Sequence, residues 1–175
     1  MLLINTGNGK GKTTAALGVA LRMLGDGKRV AMVQFIKGPW KSGEDSFAQR
    51  ANIAPSKFTL IKTGKGFVGI LGDTLPREVH KQAAREGLER AKKMIVSKKY
   101  DLVILDEVNN AVHLKLITAK DVLAIIKQIP KGVDVILTGR DATKSFIARA
   151  DIVTEMKEIK HIYTKGVKAK RGMDF

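Results

Sequence analysis

The sequence contains no cysteine. Disulfides, thiolate metal sites and a cysteine nucleophile are thereby excluded. Aromatic residues make up only 5% of the chain, and proline occurs four times. No apolar run approaches the ~20 residues that cross a bilayer. The N-terminus opens directly into an apolar segment and a glycine loop, with no charged-then-apolar leader. A cytoplasmic protein without a membrane partner is expected. Acidic residues are also scarce, 17 against 32 lysines and arginines, which leaves a net charge of +15. Such a charge suits either a polyanion partner or a lysine-coated surface around a site for small anions. The lysines are scattered and are not gathered into an arginine-rich stripe with aromatics between. Nucleic-acid binding is therefore not expected from charge alone.

What remains is an ordinary soluble composition. Hydrophobic residues make up 44% of 175 positions, enough to bury a core. No linker or repeat interrupts the chain, so residues 1–175 read as a single domain. Apolar strand-like runs at Leu2–Ile4, Val30–Ile36, Phe58–Ile61, Leu102–Leu105, Val135–Thr138 and Ile152–Met156 alternate with helical stretches. The helices are expected at Thr13–Leu24, Arg77–Val96, Thr118–Ile129 and Thr143–Arg149, with a short one after Gly43. Thr118 reads as an N-cap. Val79, Ala83, Ala84, Leu88, Ala91 and Ile95 recur at spacings of three and four, the mark of an amphipathic helix. This alternation predicts an α/β fold of the P-loop NTPase-like (RecA-like) kind, a mainly parallel sheet with helices on both faces. Ligands then belong at the carboxyl ends of the strands. Ile152–Met156 is expected to be the last core strand. Lys157–Phe175, basic and glycine-containing, would alone pass for a tail.

Chemistry concentrates in Gly7-Asn8-Gly9-Lys10-Gly11-Lys12-Thr13. Successive glycines let backbone N–H groups converge on phosphate oxygens, and the following helix adds the positive end of its dipole. Lys12 supplies a cation, and Thr13 a hydroxyl for Mg²⁺. The loop is shortened. Only Asn8, Gly9 and Lys10 separate Gly7 from Gly11, one residue fewer than the usual motif, whose first glycine is replaced by Thr6. Asp106-Glu107, at the end of a buried strand, are the expected metal carboxylates, and the spacing leaves open which of them touches the ion. Arg140 follows the next strand and could meet phosphate, substrate or solvent. Thr63–Pro76 is a glycine-rich loop that carries Phe67, Val68, Ile70 and Leu71. Its apolarity suits a flat hydrophobic ligand, a subunit contact or packing onto the core. His80, His113 and His161 have no metal-ligand spacing and read as surface or capping residues. No nucleophile or general-base constellation is evident, so an attacking group would come from the substrate.

Several segments resemble a known family. They are Thr6–Ala15, Val33-Gln-Phe-Ile-Lys-Gly38 with Trp40 and Gly43-Glu44, Leu105-Asp-Glu107 and Leu137-Thr-Gly-Arg140. Thr154-Glu-Met156, Lys160-His161, Gly166, Lys168-Ala169 and Arg171-Gly-Met-Asp-Phe175 extend the match. Together they resemble the P-loop-type ATP:corrinoid adenosyltransferases. The resemblance implies transfer of the 5′-deoxyadenosyl group of ATP to Co(I) of a reduced corrinoid, leaving triphosphate. It also implies Mg²⁺ (or Mn²⁺), a homodimer, a flavoprotein reductase and a role in coenzyme B12 synthesis or salvage. By position, Gly7, Asn8, Gly9, Lys10, Gly11, Lys12, Thr13 and Thr14 would bind triphosphate, with Arg22 as a further phosphate contact. Thr13 and Glu107 would hold the metal, so Lys12, Thr13 and Glu107 form the catalytic set. Phe67 would contact the corrinoid. The family has Phe-x-Trp at this point, and here Gly69 stands at the tryptophan position. The chain also begins without the N-terminal extension of some members. The rival readings are a P-loop ATPase or kinase with another acceptor, and a nucleotide-gated nucleic-acid binder.

Overall fold

The computed structural model describes residues 1–70 and 72–174, and of Ala48, Tyr163 and Thr164 the backbone only. Leu71 of the apolar loop and Phe175 of the terminal motif lie outside the described residues. The chain runs β1 (Leu2–Thr6), α1 (Lys12–Gly25), β2 (Val30–Gln34), α2 (Gly43–Arg50), β3 (Phe58–Lys62) and α3 (Arg77–Val96). It continues through β4 (Leu102–Asp106), α4 (Val108–His113), α5 (Ala119–Ile126), β5 (Asp134–Thr138), α6 (Lys144–Ile147) and β6 (Ile152–Glu155). A 3-10 turn at Ile162–Lys165 follows.

The strands form one six-stranded sheet in the order β3-β2-β4-β5-β1-β6, and every adjacent pair is parallel. β5 separates the strand that leads into the glycine loop from the strand that ends in Asp106. β2 and β4 are buried at every position, because helices cover both faces. Alternation along the strands sorts their side chains. Ala31, Val33, Val103, Leu105, Val135 and Leu137 join the core built with α3, α4, α5 and α6. Val30, Met32, Leu102, Ile104 and Ile136 meet Ala16 and Ala20 of α1 on the other face. Each fully buried aliphatic side chain contributes about 1.5–3 kcal/mol relative to exposure.

Sequence expectations need correction at β6 and at the end of α5. β6 is an edge strand, not a core strand: it pairs only with β1, and all four residues are exposed. Its Ile and Val look like a buried run, but no helix covers this edge among the described residues. α5 stops at Ile126, short of Ile129. Gln128 and Ile129 turn back with i→i+3 bonds ahead of Pro130, which disfavours helix in the residue before it. Thr118 does cap this helix, in a reciprocal box with Asp121. The short helix α4 was not foreseen, since its six residues carry too little periodicity.

Candidate functional site

Every strand delivers a loop to the same carboxyl edge of the sheet. A cavity of about 650 Å³ opens there. Its wall includes Asn8, Gly9, Lys10, Gly11, Lys12, Thr13 and Thr14 after β1, Lys37 after β2, Phe67 after β3, Glu107 after β4 and Arg140 after β5. Glu158 and Met173, beyond β6, complete it.

The glycine loop is shaped by close packing against the chain after β6. Gly7 has φ +94°, and a Cβ there would lie 2.4 Å from the Met156 carbonyl oxygen. Gly9 N–H donates to that same carbonyl at 2.7 Å. Gly11, at φ +113°, occupies the N-cap of α1 and turns the loop into the helix. The amides of the first turn thus face the cavity with the helix dipole behind them. Lys12 Nζ donates to the Gly9 carbonyl at 2.7 Å, which holds the ammonium over the loop. Burial and then Arg140 lower its pKa, while Glu107 and Glu158 act the other way. A lysine so placed gains most from an incoming polyanion.

Asp106 is fully buried and its charge is answered by three hydrogen bonds. Thr13 Oγ1 donates to Oδ1 at 2.8 Å and Thr138 Oγ1 to Oδ1 at 2.7 Å. Gln34 Nε2 donates to Oδ2 at 3.0 Å. Gln34 also donates to Glu44 Oε1 at 3.1 Å, so its amide nitrogen is shared between two carboxylates. Lys37 donates to Glu44 as well. Burial works against the Lys37 charge, but Asp106 and Glu44 outweigh it and raise its pKa. The Glu44 carboxyl is lowered despite burial, chiefly by that bond from Lys37.

Of the Asp106-Glu107 pair, Glu107 is the carboxylate that reaches the cavity. Its backbone is left-handed, φ +62°, and its N–H donates to Thr138 Oγ1 at 2.8 Å. Protein encloses it on most sides. Burial first, then Asp106, push its pKa up to about 7, against the pull of Lys37, Lys12 and Arg140. A carboxylate so destabilised in its charged form favours a nearby cation. Among the described residues no group of three His, Cys, Asp or Glu could hold a metal alone. The donors here, a threonine hydroxyl and one carboxylate, suit Mg²⁺, which keeps waters and substrate phosphates as its other ligands.

The expected residues are thus gathered, with one exception. Arg22 lies exposed in the last turn of α1 and is not part of the cavity wall. The apolar loop divides its residues. Val68 packs against the core, while Phe67 and Ile70 remain 45% and 60% exposed. Phe67 borders the same cavity as the glycine loop, rather than a separate compartment. The terminal segment is not a free tail. Lys10 Nζ bonds the Met173 carbonyl and Asp174 Oδ1, both at 2.6 Å, so this segment closes on the glycine loop. His80, read from sequence as surface or capping, is buried at 3% exposure against Asp73, with Nε2 3.0 Å from Oδ2. Asp73 in turn accepts from the Gly69 and Leu75 amides, which pins the apolar loop to α3. His113 is exposed and sits 3.3 Å from Asp141. His161 lies in the cavity wall.

Lys37, Glu44, Gln34 and Thr138 had no role assigned from sequence. Lys37 and Thr138 follow or end apolar strands, and that position was the available signal. Gln34 reaches Asp106 because β2 pairs with β4, and Glu44 is tied to the site through its bonds from Gln34 and Lys37, partners distant in sequence.

This fold and this loop define a P-loop nucleotide-binding protein. The family described as ATP:corrinoid adenosyltransferase BtuR/CobO/CobP matches residues 1–175, and the chain belongs to that family. A corrinoid adenosyltransferase of Escherichia coli (strain K12) is 37% identical over the whole chain and 85% of its own length. The corrinoid adenosyltransferase CobA of Salmonella typhimurium is 35% identical, again over the whole chain and 85% of its length. One from Pseudomonas aeruginosa is 37% identical, over the whole chain and 83% of its length. A crystal structure of the flagellar accessory protein FlaH from Methanocaldococcus jannaschii matches with a TM-score of 0.55. It covers 88% of this chain and 69% of that one at 13% identity, a likeness of fold alone.

Proposed function

We propose that the protein transfers the 5′-deoxyadenosyl group of ATP to Co(I) of a reduced corrinoid and releases triphosphate. The family match over the full chain carries this reading. The site supports it: one cavity joins a phosphate-binding loop to an exposed aromatic ring. In the reaction the Co(I) electron pair attacks C5′. A cobalt–carbon bond forms, the C5′–O bond breaks, and that electron pair leaves on the triphosphate. Cobalt is itself the nucleophile, so the protein's work is positioning and charge neutralisation. The loop amides, Lys12, Lys37 and Arg140 would hold the triphosphate and stabilise the charge it gains on leaving. Thr13 Oγ1 and Glu107 would hold Mg²⁺ (or Mn²⁺), which supplies further charge neutralisation at the phosphates. Asp106 keeps the Thr13 hydroxyl in place. Phe67 is suited to meet the apolar body of the corrinoid.

Formation of Co(I) needs an electron donor, and a flavoprotein reductase suits that role. A homodimer is part of the same reading, supported by Ile152 and Val153, 47% and 39% exposed on the free edge strand. No helix among the described residues is long and apolar enough to cross a membrane. A cytoplasmic location fits the use of ATP.

The test is incubation with ATP, Mg²⁺ and chemically reduced cobalamin. A light-sensitive organocobalt product should accumulate, with one triphosphate released for each. Release of ADP and phosphate without that product would favour an ATPase or kinase with another acceptor. Tight, steeply salt-dependent DNA or RNA binding without that product would favour the nucleic-acid reading.

A further inference from the structure

The chain has a single tryptophan, Trp40, in the loop between β2 and α2. The residue is 60% exposed, yet its ring is held in place from several sides. A Cβ on Gly38 would come within 2.7 Å of ring atom Cζ3, and one on Gly66 within 2.7 Å of Cη2. The ring therefore lies directly on two glycine backbones from two different loops. Gly66 N–H donates to the Ile36 carbonyl at 3.0 Å, which ties those loops together beneath it. Lys62 Nζ donates to the Trp40 carbonyl at 2.7 Å. At its side, the indole meets Phe67 with ring centroids 5.8 Å apart and planes at 38°. That spacing is within the range of favourable aromatic pairs.

Single exposed apolar residues are common on protein surfaces and need no explanation. Two aromatic rings paired across separate loops, one of them bordering a cavity, are a different matter. A tryptophan that served only to fasten the loops would gain most by full burial. Here one face is used against glycine and much of the ring is left to solvent. The indole adjoins Phe67, which is itself partly exposed and borders the nucleotide cavity, while Trp40 lies just outside the cavity wall.

We propose that Trp40 is a substrate-positioning residue: with Phe67 it forms one aromatic wall, built from two loops, against which the flat corrinoid macrocycle lies. This rests on the adenosyltransferase reading of the preceding subsection. The wall holds the macrocycle at the cavity mouth. The glycines beneath the indole fix the height of the wall, since any side chain there would lift the ring. ATP, bound through the glycine loop, does not touch Trp40.

Steady-state kinetics of Trp40→Ala and Trp40→Phe, with chemically reduced cobalamin, test the assignment. Trp40→Ala should raise the KM for corrinoid about tenfold, with the KM for ATP unchanged and kcat nearly so. Trp40→Phe, which keeps a flat ring on the glycines, should recover most of the loss. The wild-type protein provides a second measurement that needs no variant, because all tryptophan emission comes from one residue. Adding cob(II)alamin in the presence of ATP should shorten the tryptophan fluorescence lifetime almost to extinction, as energy transfer at contact distance does. A corrinoid KM within about twofold of wild type in Trp40→Ala would overturn the proposal, whatever the lifetime shows. So would a lifetime only partly shortened at saturating corrinoid, which would place the macrocycle away from the indole. In both cases product formation by wild type would leave the adenosyltransferase reading standing. Wild-type protein that forms no organocobalt product would remove that reading and this inference with it.

Discussion

Replacing Glu107 by glutamine keeps the size of the side chain and removes its charge. In metal-free protein the Glu107 carboxyl is raised from 4.5 to about 7, first by burial and then by the charge of Asp106. A carboxyl raised in this way binds more protons in the folded than in the unfolded state. Its contribution to stability is therefore present below the unfolded value and is lost as pH rises through about 7. At about 1.4 kcal/mol per unit, the lift is worth at most on the order of 3 kcal/mol. Urea denaturation in the presence of a chelator should show this as a pH-dependent loss in the wild type that Glu107→Gln lacks. Above pH 7 the variant should be the more stable protein. Its activity should move the opposite way, because the cavity-facing carboxylate is gone. Half-maximal adenosylation should need more Mg²⁺ in Glu107→Gln than in Asp106→Asn. Identical pH slopes for wild type and Glu107→Gln would refute the electrostatic argument. A larger Mg²⁺ requirement in Asp106→Asn would move the metal role to the buried carboxylate.

Three further outcomes are expected. Lys12→Ala should lose turnover while its circular dichroism and denaturation midpoint stay close to wild type, and normal activity would remove Lys12 from the site. Phe67→Ala should slow reaction with Co(II) corrinoid plus reductant much more than reaction with pre-reduced Co(I), at a cost of up to a few kcal/mol if the ring is well covered by substrate. Equal losses with both forms would limit Phe67 to shaping the pocket. Deleting Val167–Phe175 removes the Asp174 ion pair and the Met173 carbonyl that hold Lys10. It should raise the KM for ATP and impair adenosylation, measured by product formation, while an unchanged rate would return this segment to the status of a tail.

Local chemistry made much of this protein readable from its sequence. The shortened glycine loop announces itself because positive φ and close backbone approach demand glycine at Gly7 and Gly11. Strands β1, β2, β4 and β5 are visible because a strand covered on both faces must be apolar throughout. Asp106-Glu107 stand out as charges at the end of such a strand. The same signal misleads at β6, where Ile152 and Val153 mimic a core strand on an exposed edge. Other features depend on pairs distant in sequence, and no local pattern encodes them. The strand order brings Thr13, Gln34 and Thr138 onto one buried carboxylate. It is the tertiary fold, too, that assigns Asp106 to the interior and Glu107 to the cavity, although the two are neighbours in sequence. Packing alone buries His80 against Asp73, lays the terminal segment across Lys10 and sets Trp40 beside Phe67. Sequence determined what each loop could bind. The sheet decided which loops meet, because parallel strands place all their carboxyl ends along one edge.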